Sequence, residues 1–464
     1  MSDKIQKDNT EAENGYVSES HQIGLVKSLV GAVNAGDHKV ATKLVENLHS
    51  ADLADVFELL SINDRKELTH LLRDTLDPDI LSELEGRAFD DVISVLDSDE
   101  IAEAITSLDT DDAVYVLEEM GGGKQQQEVL DNIAVDDRAH IEKAFSYPED
   151  SAGRLMQRDF IAVPSYWNVG QTIDFLRTED GLNKDFWEVF VVDPQYHPVG
   201  TMPLSWLLRS PPALEMSKAM MVEQTLIPVA MDQEEVAFRF RQYNLVSAAV
   251  VDDAGRLVGM ITIDDIVDVM EEEAEEDILA LAGVREGDVN ISIFEIARTR
   301  FAWLAVNLGT AIIASVVIAQ FGASIEKLVA LAILMPIVAS MGGNAGTQTM
   351  AVTVRALASK EITSANAYRI VSKEFFVSIL NGVVFALIMG IFAGLWFASQ
   401  QLGLVIAAAM VINMVVAGLS GILIPLGLDR LSIDPAVSSS VFVTTITDVI
   451  GFLAFLGLAA IYLV

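Results

Sequence analysis

The chain of 464 residues contains no cysteine, which excludes disulfides and thiolate metal sites. Its six histidines all lie before residue 200, so the remainder offers neither sulfur nor imidazole to a metal. An ion handled there meets only oxygen ligands, which suit magnesium, calcium or manganese. Basic residues are scarce, with 30 Lys and Arg against 67 Asp and Glu and a net charge of −37. The shortage is uneven. From Phe301 onward six acids face six bases, so the whole net charge belongs to residues 1–300. A part this acidic repels nucleic acid and anionic lipid and attracts cations. A phosphate loop is also missing: Gly121–Gly123 before Lys124 lacks the first glycine and the Ser/Thr of that motif. Nothing here couples the chain to ATP hydrolysis, and it reads as a protein that is not an enzyme.

What is present is apolar length. Pro435–Val464 is long enough to cross a bilayer, which takes roughly 20 apolar residues. It carries one charge, Asp448. An ionised carboxylate at that depth costs roughly 2.5–3.5 kcal/mol and should face protein or water. Ser440, Thr444, Thr445 and Gly451 fall on the same helical face, a small hydroxyl-lined stripe beside the carboxylate. Such acids mark ion or proton paths, or hydrogen-bond a neighbouring helix.

Other charge-free runs lie at 301–325, 328–354 and 375–428. The last is too long for one span and breaks at 398–403, which makes five crossings. Arg298, Arg300, Arg355, Lys360, Arg369, Lys373 and Arg430 lie at ends that should be cytoplasmic, leaving Lys327 outside. The N-terminal parts are then inside and the C-terminus outside. Within the second crossing, MPIVASMGGNAGTQT (335–349) holds Pro336, the Gly342/Gly343 pair, and polar Asn344, Thr347 and Gln348. It implies either irregular backbone lining a wet cavity or close GxxxG packing of Gly342 and Gly346. Asp434 sits at the mouth of the last helix. One central acid and an odd number of spans fit a homodimer in the lipid bilayer.

Residues 1–20 read as a disordered tail, without a signal peptide. Residues 21–150 read as stacked helices with Asp starts at 52–60, 90–96 and 111–120. Across 151–268 the order β-α-β-β-α appears twice, at about 154–215 and 216–275. The second copy closely resembles a CBS module, in which a Thr-x-x-Asp pattern often holds an adenosine ribose. Thr262 and Asp265 fit it, and the first copy has no matching acid. The pair binds an adenine nucleotide such as ATP or is purely structural. Residues 269–295 continue an acidic helix without interspersed lysine, with like charges four apart. It is a solvated face or a site for divalent cations. Residues 296–464 form the membrane domain.

The segments SYPEDSAGRLM, DDIVDVMEEEAEEDILALAGV, MGGNAGTQT, IDPA and TTITDVIG resemble the MgtE family of magnesium channels and transporters. The resemblance implies a multidomain homodimer of the inner membrane: an all-α N domain, an α/β tandem CBS pair, a connecting plug helix and five transmembrane helices. It places the pore acid at Asp448 and a further ion site at Asp434. It points to regulatory Mg2+ on Asp265, Asp268, Glu273, Glu276 and Asp277, with the N-domain contribution near Asp111 and Asp112. Tyr115 stands where a further acid is expected. The implied function is Mg2+ uptake down the electrochemical gradient, closed by cytoplasmic Mg2+. The alternatives are transport of another hard divalent ion (Ca, Mn or Co) or a membrane-anchored CBS nucleotide sensor that transports nothing.

Overall fold

The computed structural model describes residues 19–46, 48–178, 186–284, 293–363, 365–431 and 433–464. Most of the expected tail and residues 285–292 lie outside them. The chain divides into two compact units, Met1–Glu271 and Glu272–Val464.

The first unit opens with helices Glu19–Ala35 (α1), His38–Val45 (α2), Ser50–Leu59 (α3), Ile62–Leu72 (α4) and Ile80–Glu83 (α5). Gly86–Ile93 (α6), Ser98–Ser107 (α7), Thr110–Glu119 (α8), Lys124–Asn132 (α9) and Val135–Phe145 (α10) follow. Short side-chain oxygens start them: Asp37 caps α2, Ser61 caps α4, and Asp97 with Glu100 forms a capping box on α7. The three Asp-started segments of the sequence fall on α3, α6 and α8, whose apolar faces share one core around Phe57, Phe89 and Leu117. Buried Arg65 ties three elements together. Its Nε donates to the Phe57 carbonyl at 2.8 Å, and its Nη1 meets Asp91 of α6 at 2.7 Å. It thereby joins the Leu60 N–H in satisfying the carbonyls at the end of α3, its Nη2 reaching those of Glu58 and Leu60 at 3.2 Å.

The segment Ser146–Met156, with the short helix Ala152–Leu155 (α11), joins these helices to the sheets. Its backbone donates from Ala152 to the Met231 carbonyl and from Gly153 to that of Val229. Arg154 lies over the Phe145 ring, pairs with Glu118 and donates to the Tyr147 carbonyl. Gly153 has the Tyr147 ring against it, where a Cβ would stand 2.5 Å from Cγ.

Two three-stranded sheets follow. The first is Ala162–Pro164 (β1), Glu188–Val192 (β2) and Pro198–Pro203 (β3), with helices Val169–Thr178 (α12) and Leu204–Leu207 (α13). After Met216–Ala219 (α14) come Leu226–Pro228 (β4), Gln233–Tyr243 (α15), Ser247–Val251 (β5), Leu257–Thr262 (β6) and Ile263–Ala282 (α16). Each sheet pairs its first two strands in parallel and its last two antiparallel. The register irregularity also recurs, at Val191/Val192 and Val250/Val251. Both hairpins close on an aspartate, Asp193 or Asp252, that accepts two backbone N–H groups. At the left-handed position the second copy has Gly255 (φ 76) and the first Tyr196 (φ 69). The expected double β-α-β-β-α order is what folds.

The second unit contains Ile293–Ala319 (α17), Gly322–Lys327 (α18), Ala330–Ala358 (α19), Ala367–Trp396 (α20), Gln400–Arg430 (α21) and Pro435–Tyr462 (α22). Five of its helices are long and apolar enough to cross a membrane. On α20 the exposed Leu380, Val384, Leu387, Ile391 and Leu395 form one stripe suited to lipid. The long run breaks at 397–399, where Ala398 is left-handed and the Ser399 hydroxyl caps α21. Of the two readings of 335–349, packing prevails over irregular backbone. Helix α19 runs unbroken through Pro336 and both glycines, because Gly342 is pressed by Asn413 of α21 and Gly346 by Val443 of α22.

Candidate ion pathway and acidic junctions

Helix α22 begins with Asp434 as its cap, Oδ1 accepting from the Ala436 N–H at 2.7 Å, and with Pro435 in its first turn. Further on, Thr444 donates to the Ser440 carbonyl at 2.9 Å and Thr445 to that of Val441 at 2.5 Å. Both hydroxyl hydrogens are thus spent on the helix, and the oxygens are left as acceptors. Acceptors are what a hydrated cation requires, since its waters present hydrogens. Asp448 is half-buried and has no hydrogen-bond or ion-pair partner among the described residues.

On α19, Asn344, Thr347 and Gln348 share an exposed face, opposite the face that Gly342, Gly346 and Met350 bury. Among the described residues no hydrogen bond links these three to Asp448; α19 and α22 meet instead where Gly346 faces Val443 and Thr447. The end of α16 belongs to this unit. Ala280 and Leu281 pack with Met350, Val354, Ala436 and Val443. Burial, then Asp434, then exposed Glu276 hold the half-buried Asp277 carboxyl above its usual range. The helix stops at Gly283 (φ 70), against the Trp303 indole of α17, so a side chain at 283 would be excluded twice over.

A second gathering of acids lies within the first unit. Burial raises Asp111 well above the carboxylate range, with Asp265 and Asp112 adding to it. Asp112 is pushed up to about 7, by burial and then by Asp265 and Asp109. Asp265 reaches about 6, burial outweighing the Thr262 hydroxyl that donates to its Oδ2 at 2.8 Å. Glu83 is raised by burial and then by Asp268, which is itself raised by burial. Glu83, Asp79 and Asp109 escaped the sequence reading; among 67 acids nothing local distinguishes them. Tyr115 packs on the neighbouring apolar core. Among the described residues no three His, Asp or Glu converge as a metal cage. The acids form loose walls, which fits an ion that keeps its water.

Carboxylates raised in this way bind more protons folded than unfolded. Their stabilising contribution is complete below the unfolded value near ~3.9 and is lost as pH rises through about 6 and 7. In chelator, the first thermal transition of the full-length protein is therefore expected ~5 °C or more higher at acid than at neutral pH. Mg2+ at ~1–10 mM restores it at neutral pH, bridging what the protons neutralised. A melting temperature indifferent to both would mean that these acids do not repel.

The ribose-type pair is engaged locally. Thr262 N–H and hydroxyl both donate to Asp265, and Gln157 lies 3.5 Å from each side chain. The equivalent positions in the first copy are Pro203, the last residue of β3, and Trp206. A cleft of about 1080 Å³ opens on that side, past Glu188, Thr201, Pro203, Arg239 and Tyr243.

Residues 335–458 match a family model described as a divalent cation transporter, 48–150 the MgtE intracellular N domain, and 218–272 the CBS domain. The chain is 32% identical over 449 residues to the magnesium transporter MgtE of Thermus thermophilus, covering 95% of this chain and 98% of that one. It belongs to the MgtE family. The MgtE of Enterococcus faecalis is 30% identical over 328 residues (71% of this chain, 72% of that one). That of Bacillus subtilis is 27% identical over 441 residues (95% and 97%). A crystal structure of the cytosolic domain of the Mg2+ channel MgtE with ATP is 28% identical, at a TM-score of 0.49 over 53% of this chain and 99% of that one. MgtE membership accounts for the order of parts: helical N domain, CBS domain and five apolar helices.

Proposed function

We propose that this chain carries Mg2+ across the cell membrane as a homodimer, and that the same ion on the cytoplasmic side closes the path. One observation carries the reading: Asp448, a carboxylate at membrane depth without a protein partner among the described residues. A charge retained there at roughly 2.5–3.5 kcal/mol serves something that is not part of the fold. Mg2+ gives up water reluctantly. One carboxylate per subunit with Thr444 and Thr445 cannot replace six waters, so the path holds the hydrated ion. No pump is needed, since a divalent cation gains roughly 4.6 kcal/mol per 100 mV moving inward.

Two copies account for the polar face of α19. Asn344, Thr347 and Gln348 would be costly against lipid, and a two-fold partner turns that face and Asp448 toward a shared wet axis. The bases at the helix ends put the N-terminal parts in the cytoplasm and the C-terminus outside. Regulation rests on the acids: Asp111, Asp112, Asp265 and Asp268 in the first unit, and Glu273, Glu276, Asp277 and Asp434 toward the membrane helices. We read Asp265 as a metal-bridging carboxylate. Acids lie beside the Thr262–Asp265 pair that could hold an adenosine ribose, and in the first copy Pro203 and Trp206 stand at the equivalent positions. Arg239 in the cleft on that side is already paired with Glu235 at 3.1 Å.

The test is block by cobalt hexammine, an inert mimic of hydrated Mg2+. Applied from outside, it is expected to stop Mg2+ flux at low concentration. Flux that continues unblocked would mean that the path strips the ion bare, and would favour a calcium- or manganese-type site.

A further inference from the structure

Asn413 puts a carboxamide in the apolar middle of α21, and it is 0% exposed. Its Nδ2 donates to the Val338 carbonyl of α19 at 2.7 Å. The carboxamide fills a notch cut by two glycines, Gly342 of α19 and Gly451 of α22. A Cβ on Gly451 would stand 2.8 Å from Nδ2 and 3.1 Å from Oδ1. Oδ1 itself is buried and has no hydrogen-bond partner among the described residues. Four and eight residues along α21, Ala417 and Gly421 continue the seam, Gly421 lying against the Gly346 carbonyl and Thr349.

Gly451 is one helical turn beyond Asp448, and Gly342 is two residues before Asn344. One side chain therefore touches both helices that carry the ion-path groups, at the level where those groups lie. A spacer would be better made of leucine, which fills similar room and leaves no acceptor unpaired. We propose that Asn413 is a positioning residue of the ion path: its carboxamide fixes α19 against α22, and so sets the gap between the α19 polar face and Asp448. The gap determines which hydrated ion fits. The inference rests on the reading of Asp448 as the path's carboxylate.

Two variants test it in the full-length protein in liposomes. Asn413→Leu removes the clamp and keeps the bulk; Gly451→Ala keeps the carboxamide and displaces it. Both are expected to remain dimeric. Each should lower Mg2+ flux about tenfold or more, the scale of a misplacement of about an ångström. The Mg2+-to-Ca2+ flux ratio and the cobalt hexammine concentration for half block should each shift by roughly threefold or more, because a changed gap changes which ion it grips. General loss of stability would reduce the number of working dimers and leave ratio and block point alone. Unchanged ratio and block point in Gly451→Ala overturn the proposal even if Asn413→Leu fails to fold. Asp448→Asn, run beside them, separates the two claims. If it conducts like the wild type, the path reading falls; if it is silent while both other variants behave normally, only the role of Asn413 falls.

Discussion

Asp448→Ala is expected to abolish Mg2+ flux while the dimer still assembles and melts no lower than the wild type. The second half of that expectation is the informative one. Asp448 makes no ion pair or hydrogen bond among the described residues, so its removal leaves no other charge stranded. Taking away a costly intramembrane carboxylate should leave the fold as stable or more so. A structural carboxylate predicts the reverse, loss of stability with flux retained. Asp448→Asn keeps the shape and removes the charge, and a fall of ~100-fold is expected, about 2.7 kcal/mol at ~1.4 kcal/mol per decade. That equals the scale of the insertion cost, as it should if the cost is offset only when the cation is present. Flux in liposomes, with the melting curve of the same preparation, decides between the two.

The second large effect concerns closure. Replacing Asp265, Asp268, Glu273, Glu276 and Asp277 by Asn and Gln is expected to give a channel that stays open in high internal Mg2+. These acids repel one another in two places. In the first unit, Asp265 and Asp268 face Asp111, Asp112 and Glu83; in the second, Asp277 faces Asp434. Mg2+ shared across such walls draws them together, and loose oxygen sites bind at roughly 0.1–1 mM. Neutralisation removes both the ion's reason to bind and the repulsion that opens the assembly. Loss of bridging should dominate, because several carboxylates are needed to hold one hydrated ion. Patch current with internal Mg2+ stepped from micromolar to ~10 mM reads it directly. A neutralised channel that shuts at the wild-type midpoint would make the cluster a solvated face.

Much of this was legible in the chain, for identifiable reasons. Run length and the partition of charge gave five spans and an acidic remainder, since both are properties of composition. The duplicated β-α-β-β-α order was legible because strand and helix periods differ. The state of 335–349 was not. Proline and paired glycines weaken an isolated helix, but Asn413 presses on Gly342 and Val443 on Gly346 from two neighbouring helices, and packing overrides propensity. The surroundings of Asp265 were equally hidden. Its Thr262 spacing suggests a ribose, whereas in the fold it lies beside Asp111 and Asp112, far away in sequence, and raises both. Asn413 could have been noticed as a carboxamide within a long apolar helix, but its two glycine partners lie on other helices.

The most direct test of the central claim is ion flux into liposomes holding the purified protein and a divalent-ion indicator. Mg2+, Ca2+, Mn2+ and Co2+ are supplied in turn outside, with the interior negative. The expected result is Mg2+ entry well above protein-free vesicles, driven by the potential, larger than that of the other ions, and absent in Asp448→Ala. Entry no faster than in empty vesicles for every ion would contradict the account and leave a membrane-anchored sensor in its place.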